Sequence, residues 1–325
     1  MEASPLPRVH PSCENARVGM IVTPILVTPA FEDRDAIWRM IQTHSPYSLM
    51  AALTGYGEIM GEDVTPWFRS NWALDGQAVD GETMSLLHHE PFIKATKSLF
   101  GAAIVRPVTI VTNINGPMAV GTPHVDTPTF RGLKRSEVPV WLLLVMGASG
   151  LFQRWSVRVA GALTWFYDRG DGEYEYWPGG LDRDSESLRG PFGNVALVGD
   201  NDLMPHRVGT IGDPQAFAAR VRVTQHSTIR WTDGRGWAIT EPDGPPQPVP
   251  TEDVRVSILW KALTFGDERE ARVYDEHEDD LDLETIVEIF RTDLGERGYV
   301  VDEPSDPYRD PEWSRILAAV YFPGR

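Results

Sequence analysis

The chain has 325 residues, and its 42% hydrophobic content is enough to bury a sizeable core in one large domain or two average ones. A net charge of −17 argues against a nucleic-acid partner, which needs a basic footprint, and against an anionic membrane surface; solubility is the plain reading. The single cysteine, Cys13, excludes an intrachain disulfide and fits a reducing, cytoplasmic setting.

Residues 1–17 read as a loose tail without the apolar stretch of a secretory signal, and no run of 18 apolar residues spans a membrane. Residues 18–28 are apolar and β-branched, a strand broken at Pro24. Residues 33–43 have helical spacing through Ile37, Met40 and Ile41, and residues 48–51 start a second short helix. Residues 62–81 are irregular and rich in Trp, Asp and Gly; Trp67, Phe68 and Trp72 read as a packed loop, with a lid as the alternative. A helix follows over 90–100, with Pro91 in its first turn.

After Pro107 the period changes to that of strands, expected over 108–114, 138–146, 155–167, 174–177, 194–198 and 203–211. Asp171-Gly172 marks a turn, and 228–232 with 237–240 form a hairpin about residues 233–236. Residues 243–250 hold four prolines and read as a linker, 254–265 as a long strand, and 274–284 as a solvated acidic run. Helices close the chain over 283–294 and 312–321, and the last of them packs on its own domain or on a second copy in a homo-oligomer. The 11 Trp read mainly as packing for a large core, with an aromatic-walled pocket as the functional alternative.

This order gives a mainly β fold with flanking helices, whose core is a jelly roll, the cupin-like double-stranded β-helix. Residues 18–325 are read as one domain: an N-terminal helical region and lid over 18–107, a jelly-roll core over 108–265 with an insertion at about 212–250, and C-terminal helices over 266–325.

The chemistry concentrates in Gly121–Gly132. His124 and Asp126 lie two apart where a strand runs into a turn, so imidazole and carboxylate share a face. Two His and one carboxylate form the triad that holds Fe(II) and leaves coordination positions open. His-x-Asp/Glu occurs three times, and context separates the copies. His277 has no His downstream of it, and His88 with His89 sits at a loop-to-helix boundary where period-two convergence does not apply. His124 has a Gly-Thr-Pro lead-in and a distal partner, His206, at the start of another strand. Arg255 and Ser257 share a face of the last strand, a clamp suited to a carboxylate; Arg220 and Arg222 are rivals because they lie nearer His206 in sequence.

His124-Val125-Asp126, His206 and Arg255-Val256-Ser257, in this order, resemble the Fe(II)/2-oxoglutarate-dependent oxygenase superfamily. Asn113-Ile-Asn115-Gly-Pro and Gly121-Thr-Pro-His resemble the approach to the metal motif in small-molecule members, and the preceding helices resemble phytanoyl-CoA-hydroxylase-like ones. The resemblance covers about residues 108–265. It implies Fe(II) held by His124, Asp126 and His206, and 2-oxoglutarate chelating the iron with its far carboxylate on Arg255 and Ser257. Asn113 would assist the co-substrate, dioxygen would take the remaining position, and Phe130 and Arg131 would face substrate.

The implied activity is hydroxylation or a related C–H oxidation of a small organic molecule, as in secondary metabolism, with release of succinate and CO2. The presence of Asp126 argues against halogenation. One departure is the spacing: Arg255 follows His206 by 49 residues, more than the family's usual interval, which calls for an insertion or for Arg220 as the clamp. A cupin-like metalloenzyme without 2-oxoglutarate and a non-catalytic small-molecule-binding protein are the alternatives.

Overall fold

In a computed structural model that describes residues 22–50, 64–135, 137–232, 234 and 236–321, an edge strand β1 (Ile25–Val27) opens the chain. Among the described residues it is all that forms of the strand expected over 18–28; residues 18–21 and the expected tail lie outside them. Asp33 caps helix α1 (Arg34–Thr43) by accepting the Ala36 N–H, and Ile37, Met40 and Ile41 turn inward as their spacing requires. Strand β2 (Tyr47–Leu49) covers the first half of the helix start expected over 48–51; Met50 is helical, and residue 51 lies outside the described residues.

Strands β3 (Trp67–Leu74) and β4 (Gln77–Ala78) replace the expected irregular segment. They are joined by Asp75-Gly76, both at positive φ (50° and 78°), the backbone that an Asp-Gly hairpin turn requires. Phe68 and Trp72 are completely buried here, so neither belongs to a lid. Helices α2 (Gly81–Leu87, capped by Asp80) and α3 (Glu90–Phe100, ending at left-handed Gly101) lead into β5 (Ile104–Asn115). Pro107 lies inside β5, where it is accommodated by a bulge: Thr109 faces Lys261 and Pro107 faces Ala262, so one residue drops out of register.

After β6 (Thr129–Phe130) comes helix α4 (Val140–Ser149), where a buried strand was expected. The run Val-Trp-Leu-Leu-Leu-Val-Met is apolar all round, so its periodicity carries no direction. It folds as a helix because it is enclosed, with Leu142, Leu143, Val145 and Met146 buried and Gly150 ending it at φ 70°. Strands β7 (Ser156–Val157), β8 (Val159–Tyr167), β9 (Tyr174–Tyr176), β10 (Glu186–Leu188), β11 (Phe192–Gly199) and β12 (His206–Val208) follow. Helix α5 (Pro214–Ala218), β13 (Thr228–Thr232), β14 (Gly236–Thr240) and β15 (Gln247–Val249) fill the long interval before β16 (Arg255–Phe265). The Pro-rich stretch is thus an edge strand, not only a linker. Helices α6 (Glu268–Asp275), α7 (Leu283–Glu296) and α8 (Pro311–Tyr321) end the described chain, α6 reaching into the expected acidic loop.

The major sheet runs β1-β11-β8-β16-β5-β3-β2-β13-β14-β15 and is antiparallel throughout. The minor sheet is β10-β9-β12, extended by residues 118–124 through the Met118–Ile211 and His124–His206 bridges. From β5 the chain passes to residues 118–124, then β8, β9, β11, β12 and β16, crossing between the sheets each time. That alternation is the double-stranded β-helix, a jelly roll. The hairpin β13–β14 and β15 lengthen the major sheet at its far edge, beyond β2.

The major sheet has two apolar faces. Its outer face packs on the N-terminal helices through Ile110, Ile114, Val256, Ile258 and Trp260. Its inner face meets the minor sheet through Trp165, Leu197, Tyr174, Met204 and Ile211. A separate core joins α4, α7 and α8 with Phe130 and Phe152.

Candidate metal centre

The bridge that closes the minor sheet places the metal motif. His124 N–H donates to the His206 carbonyl at 3.0 Å and His206 N–H returns the bond at 2.8 Å, so two residues far apart in sequence stand directly opposite. Their rings lie 4.6 Å apart. Asp126 N–H donates to the Asn201 carbonyl at 2.8 Å, which fixes the carboxylate after the strand has ended. The donor atoms of His124, Asp126 and His206 all lie within 4.8 Å of one another, close enough for one ion to touch all three.

Each imidazole is already oriented. The His124 Nδ1–H donates to the Thr122 carbonyl at 2.9 Å and the His206 Nδ1–H to the Met204 carbonyl at 3.0 Å, which leaves both Nε2 lone pairs free. Burial lowers the His206 pKa to about 4 against the opposing pull of Asp126, so this ring is neutral at pH 7 as a ligand must be. Burial alone would raise the Asp126 carboxyl. The cation of Lys261, then His206 and His124, overcome this and hold it below the ordinary range. This donor set fits a divalent metal with open positions.

Lys261 was not singled out from the sequence. Its ammonium lies 2.8 Å from Asp126 Oδ2 and 2.8 Å from Asp202 Oδ1, and all three groups are largely shielded from solvent. A lysine at even spacing from Arg255 and Ser257 in an otherwise apolar strand was the available signal.

Register places the remaining candidates. Across one rung, Trp165, Ser257, Asn113 and Arg69 stand side by side on β8, β16, β5 and β3, with Arg255 beside Asn115 one rung away. Arg255 is 1% exposed, yet its Nε and Nη2 have no hydrogen-bond partner among the described residues. Its guanidinium lies over the Trp165 and Phe192 rings at 5.9 and 5.6 Å, and burial lowers its pKa to about 10 despite Tyr167, Tyr174, Asp171 and Glu173. Aromatic contacts connect it to the metal triad: Trp165 meets Tyr174 at 5.4 Å and Tyr174 meets His206 at 5.4 Å. A Cβ on Gly172 would come within 3.1 Å of the Arg255 stem, and that residue has φ +64°, so glycine suits this turn on both counts.

Asn113 stands beside Ser257, but its Oδ1 accepts from Trp67 Nε1 and Arg69 Nε, both at 2.9 Å. Two donors on one atom fix the amide orientation and leave Nδ2 as the donor end. Arg220 does not join the cleft. It is exposed, its Nε donates to the Ala216 carbonyl, and it lines a surface hollow with Phe217, Val221 and Pro248. Arg222 is exposed as well.

Phe130 is buried in the α4/α7/α8 core, not exposed to a substrate. Arg131 pairs with Asp279 at 3.2 Å and donates to the Arg154 carbonyl, tying the loop after the motif to the C-terminal segment. The other two His-x-Asp/Glu copies stand apart from the triad. His88 is exposed, His89 Nε2 meets the Ala30 carbonyl, and His277 pairs with Asp280 on the surface.

No protein-family model matches the chain, and no curated protein matches it. Among solved structures, a 2OG-Fe(II) oxygenase family oxidoreductase from Burkholderia pseudomallei is 13% identical, covering 75% of this chain and 85% of its own, at a TM-score of 0.41. HygX from Streptomyces hygroscopicus, solved with nickel and 2-oxoglutarate, is 8% identical over 75% and 83% at 0.40. The non-heme alpha-ketoglutarate-dependent carbocyclase SnoK from nogalamycin biosynthesis is 12% identical over 78% and 84% at 0.38. None of the three reaches a TM-score of 0.5, and what this cleft can do is set by its own residues.

Proposed function

We propose that the chain is an Fe(II)- and 2-oxoglutarate-dependent oxygenase that hydroxylates, or otherwise oxidises at a C–H bond, a small organic molecule. The observation that carries this reading is Arg255, a buried guanidinium with two unpartnered nitrogens, joined through Trp165 and Tyr174 to a two-His, one-carboxylate triad. A buried cation with no anion in contact is costly, and a ligand carboxylate resolves that cost. His124, Asp126 and His206 are the groups that would hold the metal.

The bound iron, with 2-oxoglutarate and dioxygen, would supply the oxidising power, with succinate and CO2 released. The protein's part is positioning. The Thr122 and Met204 carbonyls hold each imidazole with Nε2 presented. Arg255 and the Ser257 hydroxyl bind the far carboxylate of the co-substrate, and the Asn113 amide adds a donor beside them. Trp165, Tyr174 and Phe192 wall the Arg255 end against water, which strengthens every charge interaction there.

Anaerobic addition of Fe(II) and 2-oxoglutarate to the protein is expected to give a weak visible charge-transfer band, and His206→Ala is expected to abolish it. Absence of the band in the wild type, with no succinate formed from any substrate, would sink the reading.

A further inference from the structure

Lys261 and Asp202 have no part in metal binding or co-substrate anchoring as described so far, yet Lys261 touches the metal motif directly and Asp202 pairs with Lys261. Lys261 lies on the inner face of β16, four residues beyond Ser257. Its neighbours across the sheet are Gly161 on β8 and, one strand further, Gly199 on β11. Neither has a side chain to obstruct it, so the stem is free to extend to the minor-sheet side. There its Nζ sits 2.8 Å from Asp126 Oδ2 and 2.8 Å from Asp202 Oδ1, with the lysine side chain 6% exposed.

The two oxygens of Asp126 are therefore in different situations. Oδ2 is ion-paired with the ammonium at 2.8 Å without hydrogen-bond geometry, while Oδ1 faces His206 Nε2 at 3.8 Å. Asp202 is a second carboxylate in reach of the same cation, and its Oδ2 has no hydrogen-bond partner among the described residues. Without Lys261, both oxygens of Asp126 would be open to a divalent ion held with His124 and His206. Hard cations accept such oxygens readily, two from one carboxylate included.

We propose that Lys261, held by Asp202, is a positioning residue that masks Asp126 Oδ2, so that the carboxylate ligand binds metal through one oxygen and the remaining positions stay open for co-substrate. This rests on the metal-centre reading above. The charges also balance: Asp126, Asp202 and Lys261 together carry −1, so masking does not cost the site its attraction for a dication.

The test uses the full-length protein titrated anaerobically with Co(II), whose visible absorption reports coordination number, followed by 2-oxoglutarate binding to the Co(II)-loaded form. Lys261→Met is expected to keep Co(II) affinity at or above wild type, to change the Co(II) spectrum, and to weaken 2-oxoglutarate binding by about tenfold or more, the scale on which outer partners of metal ligands act. Lys261→Arg, which keeps the cation, is expected to retain the wild-type spectrum.

The double variant Lys261→Met/Asp202→Asn removes the charge that the single change leaves unpaired. It decides the matter if the single variant does not fold, and the same spectral change is expected of it. An unchanged Co(II) spectrum with 2-oxoglutarate affinity within threefold of wild type, in whichever of these variants folds, would overturn the proposal. If the wild type binds no Co(II), the metal-centre reading falls and this inference with it.

Discussion

Replacing Arg255 by Met should move ligand affinity and protein stability in opposite directions. The guanidinium is held at about 10 in place of 12.5 with 1% of its surface exposed. At 1.36 kcal/mol per pK step, its charged form is disfavoured in the fold by about 3 kcal/mol. Its position over Trp165 and Phe192 returns roughly 0.5–2 kcal/mol, which is lost on substitution. Methionine keeps most of the stem's packing, so the ligand-free variant should gain about 1–3 kcal/mol. In a domain of this size that is a rise in melting temperature of roughly 2–6 °C.

Binding runs the other way. Removing one partner of a buried charged pair costs about 2–5 kcal/mol. 2-Oxoglutarate affinity for the metal-loaded protein should therefore fall by roughly 30-fold to several thousandfold. Calorimetry on Mn(II)-loaded protein measures the second quantity and scanning calorimetry of the ligand-free protein the first. An arginine with a purely structural role gives the reverse pattern: a lower melting temperature with 2-oxoglutarate affinity unchanged would refute the assignment.

Asp200 is a second buried group with a measurable signature. Burial, then the neighbouring Asp202, raises its pKa to about 6, with Arg158 opposing. A carboxyl raised in the fold favours the protonated native state, so its stabilising contribution is present at low pH and is lost as pH rises from about 4 through 6. Asp200→Asn should thus be more stable than wild type, with its advantage growing by about 1 kcal/mol between pH 5 and pH 7.5 in denaturant unfolding; a constant or shrinking advantage contradicts this. Gly132→Ala would place a methyl 2.5 Å from the Leu281 carbonyl at φ +81°. It should cost at least about 2 kcal/mol and make the C-terminal helices more sensitive to protease, whereas an unchanged melting temperature would show that this contact is not tight.

The convergence of His124, Asp126 and His206 was legible because each carries local context: the Gly-Thr-Pro lead-in, the period-two pair, and a distal His at a strand start. The shared face of Arg255 and Ser257 was legible for the same reason, as a polar pair in an apolar strand. Arg220 entered as a rival through sequence distance alone, and the jelly roll removes that criterion. Its strands β13 to β15 are added at a sheet edge, so 49 residues of chain pass without separating His206 from the strand that faces it.

Lys261 and Asp202 were not legible as a pair. They are 59 residues apart, and only the facing of the two sheets makes them partners. Helix α4 was missed because an apolar run has no face to read, although Gly150 just past its end is the stop signal that favours a helix. The Asp75-Gly76 hairpin had the strongest short-range turn signal in its region, and the surrounding Trp and Asp residues obscured it.

Strand β16 carries Arg255, Ser257 and Lys261 on one face, and between them it gives Val256, Ile258 and Trp260 to the helical core on its other face. Both sets are tied to one pleat. A slip of one residue would put Trp260 into the cleft and drive two cations into the apolar shell, so neither set can shift without the other. Spacing along this strand is therefore closed to insertion and deletion, and only point replacement remains there. Diversity in what the cleft accepts has to come from elements that are free of that double duty, such as the loops that join the sheets and the inner face of β3 that carries Trp67 and Arg69.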